Sequence, residues 1–243
     1  TMEYSNGRFY NMTLSNNQGY YHILNLDYSE PMLERILITG NSTRRHVFGA
    51  WYESEPLVNH MTIVDNVQCE WCYDFGNLPE DLNQNDISLD ESSRITIINS
   101  IFQRTCLSYV PASNADSPYD NGTFSYNNMY DPAIDWDSQC GENSGLGEDD
   151  IGNIFTNSIF TDPQLGDFTL QEDSPCINAG ISFFVLDGEI IIDVDASEYI
   201  GSAPDMGAFE SVFITGCDEG YVEDCSDDGD CALLSWIGDG YCD

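Results

Sequence analysis

The chain has 243 residues, 43 acidic side chains against 6 basic ones, and a formal net charge of -37. A surface this acidic repels phosphate backbones and anionic lipid headgroups, which argues against nucleic-acid binding and peripheral membrane binding. Such a surface attracts cations instead. It is either a solvated acidic surface suited to high salt or calcium-rich water, which we favour for most of the acids, or a set of Ca²⁺ sites, which need several converging oxygens. No apolar run in the sequence is long enough to span a bilayer, so we expect no direct membrane insertion.

Short strands that end in asparagine recur near the start of the chain at a nearly constant spacing. The segments 9–17, 33–41 and 58–66 align with one another without gaps. No helical spacing of apolar residues is sustained, and a strand-and-turn repeat of roughly 20–30 residues is the signature of a β-solenoid. Asparagine suits the bends of such a coil because it tolerates the left-handed backbone conformation.

Later copies of the repeat are looser. Segment 97–102 matches segment 155–160, and segment 123–128 between them resembles a further copy. We therefore predict an all-β fold, a parallel β-helix that covers residues 1–212; a β-sandwich would need no sequence repeat. Two long insertions, 67–93 and 107–150, interrupt the coils and are expected to protrude as loops that carry specificity.

A long motif near the end of the predicted solenoid points to a family. The sequence GDFTLQEDSPCINAG at 166–180, preceded by FTDP at 160–163 and followed by PDMGAFE at 204–210, resembles the closing motif of pectate-lyase-like domains in microbial surface proteins. The resemblance covers residues 5–212 and implies a right-handed parallel β-helix. It implies little about activity, because this fold hosts lyases, hydrolases, adhesins and structural fibres.

The remaining residues, 213–243, have a different composition, since four of the nine cysteines lie at Cys217 or beyond it. This segment ends on WIGDGYCD and resembles the first half of a small disulfide-stapled module similar to Lin-12/Notch-type repeats, so we expect the module to be incomplete within this chain. The resemblance and the close spacing of oxygen ligands predict a Ca²⁺ site, with a solvated acidic linker as the alternative. The candidate ligands are Asp227, Asp228, Asp230, Asp239 and Asp243.

The cysteines suggest an extracellular or cell-surface protein. Nine cysteines indicate disulfides and hence an oxidising compartment, and the odd number means either one free thiol or a partner outside this chain. The disulfide candidates are Cys69, Cys72, Cys106, Cys140, Cys217, Cys225, Cys231 and Cys242. Three Asn-x-Ser/Thr sequons make Asn11, Asn41 and Asn121 candidate glycosylation sites.

No set of residues in the sequence spells out an active site. A polysaccharide lyase needs a base beside the substrate, but the chain has no lysine, and arginine stays charged at every relevant pH. A glycoside hydrolase needs two carboxylates at a set separation, and 43 acids, among them Asp187, Asp193 and Asp195, make such a pair uninformative. We expect His46 and His60 on the surface of the coils.

These observations favour a non-catalytic extracellular structural or adhesive protein, such as a subunit of a surface filament, layer or flagellar hair. It would act through β-helix contacts with itself or with other surface subunits, with Ca²⁺ as its cofactor. A polysaccharide-active enzyme, either a glycoside hydrolase or a lyase, is one alternative. A glycan-binding module that uses exposed aromatic side chains is the other.

Overall fold

The computed structural model describes residues 1–19, 22–43, 46–68, 87–89, 92–103, 122–130, 150–212, 221–223 and 231–233. In this part of the chain the helical element is one 3₁₀ turn, Pro163–Leu165. The strands are, in chain order, β1 (Met2–Glu3), β2 (Arg8–Ser15), β3 (Gln18–Gly19), β4 (His22–Asp27), β5 (Met32–Thr39), β6 (Ser42–Thr43), β7 (His46–Trp51), β8 (Leu57–Val64), β9 (Val67–Gln68), β10 (Ile87–Leu89), β11 (Ile95–Ile98), β12 (Ile101–Gln103), β13 (Gly122–Ser125), β14 (Asn128–Tyr130), β15 (Phe160–Asp162), β16 (Asp167–Leu170), β17 (Phe183–Leu186), β18 (Glu189–Asp193), β19 (Tyr221–Glu223) and β20 (Cys231–Leu233).

Three parallel sheets run side by side through the first half of the chain. One contains β1, β4, β7 and β10, and a small one contains β3, β6 and β9. The largest contains β2, β5 and β8 and continues through β11 to β14. Each strand pairs with the equivalent strand of the next coil, so the architecture is a parallel β-solenoid of about three turns. The predictions of an all-β fold and of a parallel β-solenoid are confirmed.

The pairing register reproduces the sequence repeat. Phe9 pairs with Leu33, and Leu33 pairs with Val58, which are the first residues of the three segments that align in the sequence. Val58 then pairs with Ile97, and Ile97 with Phe124, so segment 123–128 is a coil as predicted. The hydrogen bonds between coils therefore join equivalent positions of the repeat.

The predicted equivalence of segments 97–102 and 155–160 is wrong. In the structure Ile101 pairs with Asn128, and the next parallel bridge joins Asn128 to Ile154. Phe160 instead begins β15, which pairs antiparallel with β16. The match between the two segments arose because a similar Asn-Ser-Ile-Phe sequence serves a strand of the solenoid in one place and the start of an antiparallel pair in the other.

A left-handed bend in each coil of the largest sheet decides which side chains face the interior. Alternation alone would place every second residue of a strand on the same side. In β5 the bend lies at Arg35, so that Leu33, Ile36 and Ile38 are all fully buried in the core between the sheets. The five stacked bends have φ angles of 53–56° and lie at Asn11, Arg35, His60, Asn99 and Tyr126.

A second apolar cluster lies on the outer face of the largest sheet. Leu37, Val64 and Ile101 point away from the core between the sheets and pack with Phe168 and Met206. We call residues 159–212 the closing segment, because it supplies most of this second cluster. The largest sheet is therefore covered on both faces, which agrees with the rule that parallel sheets are buried.

Asparagine side chains form a hydrogen-bonded ladder along one corner of the solenoid. The Asn41 Oδ1 atom accepts hydrogen bonds from the backbone N–H of Asn17 at 2.9 Å and from Asn17 Nδ2 at 3.0 Å. The Asn41 Nδ2 atom donates to Leu14 O at 2.7 Å and to Asn66 Oδ1 at 2.9 Å. The ladder satisfies buried backbone groups at a corner where the strands end.

Replacing Asn41 with alanine removes the centre of this ladder and leaves buried partners unsatisfied. We expect the Asn41→Ala variant to lose about 2–3 kcal/mol of unfolding free energy. The Asn17→Ala variant, at an exposed position on the same ladder, is the matched control and should lose less than about 1 kcal/mol. Denaturant unfolding monitored by circular dichroism measures both values, and equal losses would contradict a central role of Asn41.

Candidate functional site

The closing segment lies across the column of bends and is hydrogen-bonded to it. Asn99 Oδ1 accepts from Ile181 N at 2.7 Å, and Asn99 Nδ2 donates to Ile181 O at 2.9 Å. Gly207 N donates to Asn99 O at 2.7 Å, and Ala208 N donates to Thr62 Oγ1 at 2.9 Å. This contact covers the bend at His60 and lies beside Asp205 and Glu210, two carboxyl groups of the closing segment.

Gly207 must be a glycine for this contact to form. Its φ angle is +100°, and a Cβ atom there would lie 2.7 Å from Ile101 Cδ1 and 2.9 Å from Thr62 Oγ1. The motif residue Gly207 therefore allows the closing segment to approach the sheet closely.

Two carboxyl groups of the PDMGAFE motif lie close together in sequence and in space. The Asp205 carboxylate is fully buried and accepts hydrogen bonds from Asn178 N at 2.8 Å and Ser211 N at 2.7 Å. The half-buried Glu210 carboxyl accepts from Ile200 N at 3.1 Å and from Asp205 N at 3.2 Å. Each carboxyl group thus accepts backbone N–H groups of the closing segment with both of its oxygens.

The surroundings of Glu210 favour its neutral form. Burial, followed by the charge of Asp205, raises the pKa of Glu210 to about 7, and the two backbone N–H donors and Arg35 oppose the shift. A carboxyl group with a raised pKa beside an ionised one is the arrangement that glycosidases use. Here Asp205 is fully buried and both groups are occupied by backbone donors, so the pair has a structural use within the closing segment.

His60 lies inside the protein, and the prediction that it is on the coil surface was wrong. Its side chain is 1% exposed, because the closing segment covers the bend where it sits. Burial, with a smaller contribution from Arg35, lowers the pKa of His60 to about 3. The imidazole is therefore neutral at physiological pH.

The five candidate calcium ligands, Asp227, Asp228, Asp230, Asp239 and Asp243, lie outside the described residues. Of the module at 213–243, the structure describes the antiparallel pair β19 and β20. Elsewhere in the described ranges no group of three or more His, Cys, Asp and Glu side chains gathers as a metal site would require. The calcium site stays a prediction.

The disulfide candidates also fall almost entirely outside the described residues. Cys69, Cys72, Cys106, Cys140, Cys217, Cys225 and Cys242 lie there, and Cys231 is described only as part of the backbone of β20. Cys176, which is not among the candidates, is a buried free thiol whose Sγ atom accepts from Asn128 Nδ2 at 3.1 Å. Burial raises the pKa of Cys176 to about 11, so the thiol is unreactive in the folded state.

The candidate glycosylation sites have different surroundings. Asn11 is exposed at the first bend, and Asn121 lies outside the described residues. Asn41 is 1% exposed, and the nitrogen that would carry a glycan donates two hydrogen bonds within the asparagine ladder. A glycan on that nitrogen would have to displace both bonds in this fold.

The three aspartates considered for hydrolase chemistry belong to an antiparallel hairpin and the turn that follows it. β17 and β18 are joined by Asp187 and Gly188, whose φ angles of 51° and 85° are those of a tight hairpin turn. Asp193 ends β18, and Asp195 accepts hydrogen bonds from Ser197 N and Ser197 Oγ. Those bonds lower the pKa of Asp195, as expected of a carboxylate that caps a turn.

Sequence reasoning missed an exposed stack of three tyrosines at a corner of the solenoid. The ring centroids of Tyr4 and Tyr28 are 5.1 Å apart, as are those of Tyr28 and Tyr52. The three residues recur in the sequence at the period of the repeat, and that spacing could have revealed them. Trp51 ends β7 and packs against His22, with ring centroids 5.7 Å apart.

Comparison of the chain with protein families, with curated proteins and with solved structures finds no match. The resemblances to pectate-lyase-like domains and to Lin-12/Notch-type repeats therefore rest on the sequence motifs themselves. In the described ranges, no helix has the length and apolar character needed to cross a membrane.

The buried neutral His60 should make folding sensitive to acid. Because the folded-state pKa of about 3 lies below the usual 6.5, the stability it contributes is complete above pH 6.5 and is lost as the pH falls toward 3. The loss amounts to at most about 1.4 kcal/mol per pH unit in that range.

The His60→Asn variant tests this effect, because asparagine occupies the same bend at Asn11 and Asn99 with the same left-handed backbone. We expect the unfolding free energy of the wild type to fall more steeply than that of the variant between pH 6.5 and 4. Parallel pH curves for the two proteins would contradict the assignment of a buried neutral imidazole.

Glu210 should have the opposite pH dependence. Its folded-state pKa of about 7 lies above the usual 4.5, so folding favours the protonated form; that contribution is complete below pH 4.5 and disappears as the pH rises through 7. The Glu210→Gln variant imitates the protonated form, and the wild type should lose stability relative to it between pH 5 and 8. Glu189→Gln, on an exposed hairpin position, is the control and should follow the wild type.

Proposed function

We propose that the chain is a non-catalytic structural or adhesive protein of an extracellular surface, in which the solenoid serves as a stiff rod. Its partners would be further copies of itself or other subunits of a surface layer, filament or flagellar hair. The observation that carries the proposal is the use of polar side chains for bonds that run along the solenoid axis.

Three ladders of such bonds support the proposal. The asparagine ladder through Asn41 follows one corner. Serine hydroxyls follow another corner, where Ser29 N donates to Ser54 Oγ at 3.0 Å and Ser54 N donates to Ser93 Oγ at 3.1 Å. A third ladder passes from Ser100 N to Asn127 Oδ1 at 2.8 Å and continues to Asn153. Polar groups that are fully hydrogen-bonded along the axis stiffen a rod.

The sequence motifs support a more specific form of this proposal. In it, the solenoid is a right-handed parallel β-helix of the pectate-lyase-like type, and residues 213–243 belong to a Lin-12/Notch-like module that binds Ca²⁺. The use of Asp205, Gly207 and Glu210 to close the solenoid is compatible with the closing role of the motif that they share with pectate-lyase-like domains. The acidic net charge of -37 would let Ca²⁺ bridge copies that otherwise repel each other.

A polysaccharide-active enzyme is the second candidate, and the raised pKa of Glu210 beside Asp205 is the observation that favours it. A glycan-binding module receives less support from the tyrosine stack. Sugars pack on the faces of aromatic rings, and the faces of Tyr28 are covered by Tyr4 and Tyr52.

Two measurements on the full chain separate the candidates. Sedimentation and electron microscopy, with calcium and with a chelator, should show assemblies that require calcium. A screen against cell-wall and marine polysaccharides should release no oligosaccharide. A protein that stays monomeric at all calcium concentrations would contradict the structural proposal. If the wild type and the Glu189→Gln control release oligosaccharides and the Glu210→Gln variant does not, the enzyme proposal would replace the structural one.

A further inference from the structure

Tyr4, Tyr28 and Tyr52 form a continuous stack of exposed phenol rings. Adjacent rings are nearly parallel, with interplanar angles of 8° and 14°. The three residues are 71%, 44% and 53% exposed. Their spacing of 5.1 Å is close to the separation of about 4.8 Å between neighbouring strands, as expected when one side chain repeats in register.

Backbone hydrogen bonds between coils fix the positions from which the three tyrosine side chains extend. All three tyrosines have left-handed φ angles, of 52°, 50° and 58°. Tyr4 N donates to Asp27 O at 3.1 Å, and Tyr28 N donates to Trp51 O at 3.2 Å, so the backbone is bonded from coil to coil at the stack itself. The backbone positions of the three tyrosines are therefore fixed by the hydrogen bonds between coils.

The arrangement covers the ring faces within the stack, so the exposed surface of these residues includes their ring edges. The reactive positions of a phenol are its oxygen and the ring carbons ortho to that oxygen, and they lie on that edge. Each stacked pair also presents two such edges at a short, constant separation. Oxidative coupling of two phenols needs access for an oxidant and a second phenol within reach. The exposed edges meet the first requirement, and the short separation meets the second.

From this geometry we infer that the Tyr4–Tyr28–Tyr52 stack is a site of oxidative cross-linking, at which a one-electron oxidant of the haem-peroxidase class joins neighbouring coils through a dityrosine bond. Hydrogen peroxide would be the terminal oxidant. The inference does not depend on the proposed function, since it concerns the chemistry of the stack alone.

The cross-linking reaction balances in electrons and atoms. Each of two phenols gives one electron to the peroxidase and its hydroxyl proton to solvent or to a carboxylate. The two radicals form a carbon–carbon bond between one ring carbon of each phenol that is ortho to the oxygen. The hydrogens displaced from those carbons move to the oxygens as the rings regain aromaticity. Peroxide takes up the two electrons and two protons and becomes water, so the linked pair is lighter than the two tyrosines by two hydrogen atoms.

Acidic groups beside the stack help to keep Tyr28 in its protonated phenol form. The pKa of Tyr28 lies above its usual value of 10. Partial desolvation is the largest cause, and the charges of the neighbouring Tyr4, Tyr52, Glu53 and Asp27 add to it. Tyr28 is therefore neutral at physiological pH and must lose its proton together with the electron. Carboxylates near the ring can accept that proton as the electron leaves, so the oxidised ring becomes a neutral phenoxyl radical.

The test is to treat the folded full chain with peroxidase and peroxide and to map the linked peptides by mass spectrometry. Cleavage at arginine isolates residues 1–8, in which Tyr4 is the only tyrosine, and further cleavage at acidic residues separates Tyr28 from the other tyrosines of 9–35. We expect Tyr4–Tyr28 and Tyr28–Tyr52 links, with a yield that does not change when the protein is diluted.

Two variants make the experiment decisive. Tyr28→Phe removes one hydroxyl, keeps the ring in the stack and should abolish both links. Tyr10→Phe is the matched control, because Tyr10 is 47% exposed and lies outside the stack, and both links should persist. Circular dichroism confirms that each variant is folded. The inference is overturned if links spread evenly over exposed tyrosines, if they disappear on dilution, or if they survive in Tyr28→Phe.

Discussion

The structure depends on one constraint, which is that each coil must place equivalent backbone groups directly above those of the coil before it. Parallel strands supply hydrogen bonds along the flat faces, but at the corners the backbone turns and its N–H groups lose their strand partners. Side-chain oxygens of Asn41 and Ser54 accept those N–H groups. The left-handed bends at Arg35 and His60, inside β5 and β8, then decide which side chains face the interior. Stacking, corners and interior packing are thus consequences of the same register.

The closing segment extends this logic to the outside of the largest sheet. It bonds to Asn99 and Thr62, which occupy the bend and an outward position of their coils, and it buries the apolar groups beside them. Its own turns are held by the carboxyl groups of Asp205 and Glu210. Titratable groups that in another setting would suggest catalysis are therefore explained by the closure of the fold. The two shifted pKa values, of His60 and Glu210, report on how completely the closing segment covers the bends.

Much of the solenoid could be predicted because its contacts are periodic in the sequence. The gapless alignment of the first three repeats is the same as the register in which their strands pair. The asparagines at the ends of the repeats form the hydrogen-bonded ladder. The burial of His60 could not be predicted, because the segment that covers it, around Asp205 and Gly207, lies far along the chain. Asn41 shows the same limit at short range, since the sequon pattern carries no information on whether its amide is already bonded. The tyrosine stack could have been predicted, because its members recur at the same period as the strands.

The register between coils is insensitive to the length of chain that separates them. Val58 pairs with both Leu33 and Ile97 in the same column of the sheet, although much more of the chain lies between Val58 and Ile97. The extra length falls between β9 and β10, and the free-energy cost of a longer connection rises only logarithmically with its length. It follows that the connections and the solenoid can diverge independently over evolutionary time. An inserted connection can lengthen, shorten or change its chemistry while the solenoid keeps its pitch. The same property makes such connections natural places to graft foreign peptides at a fixed spacing.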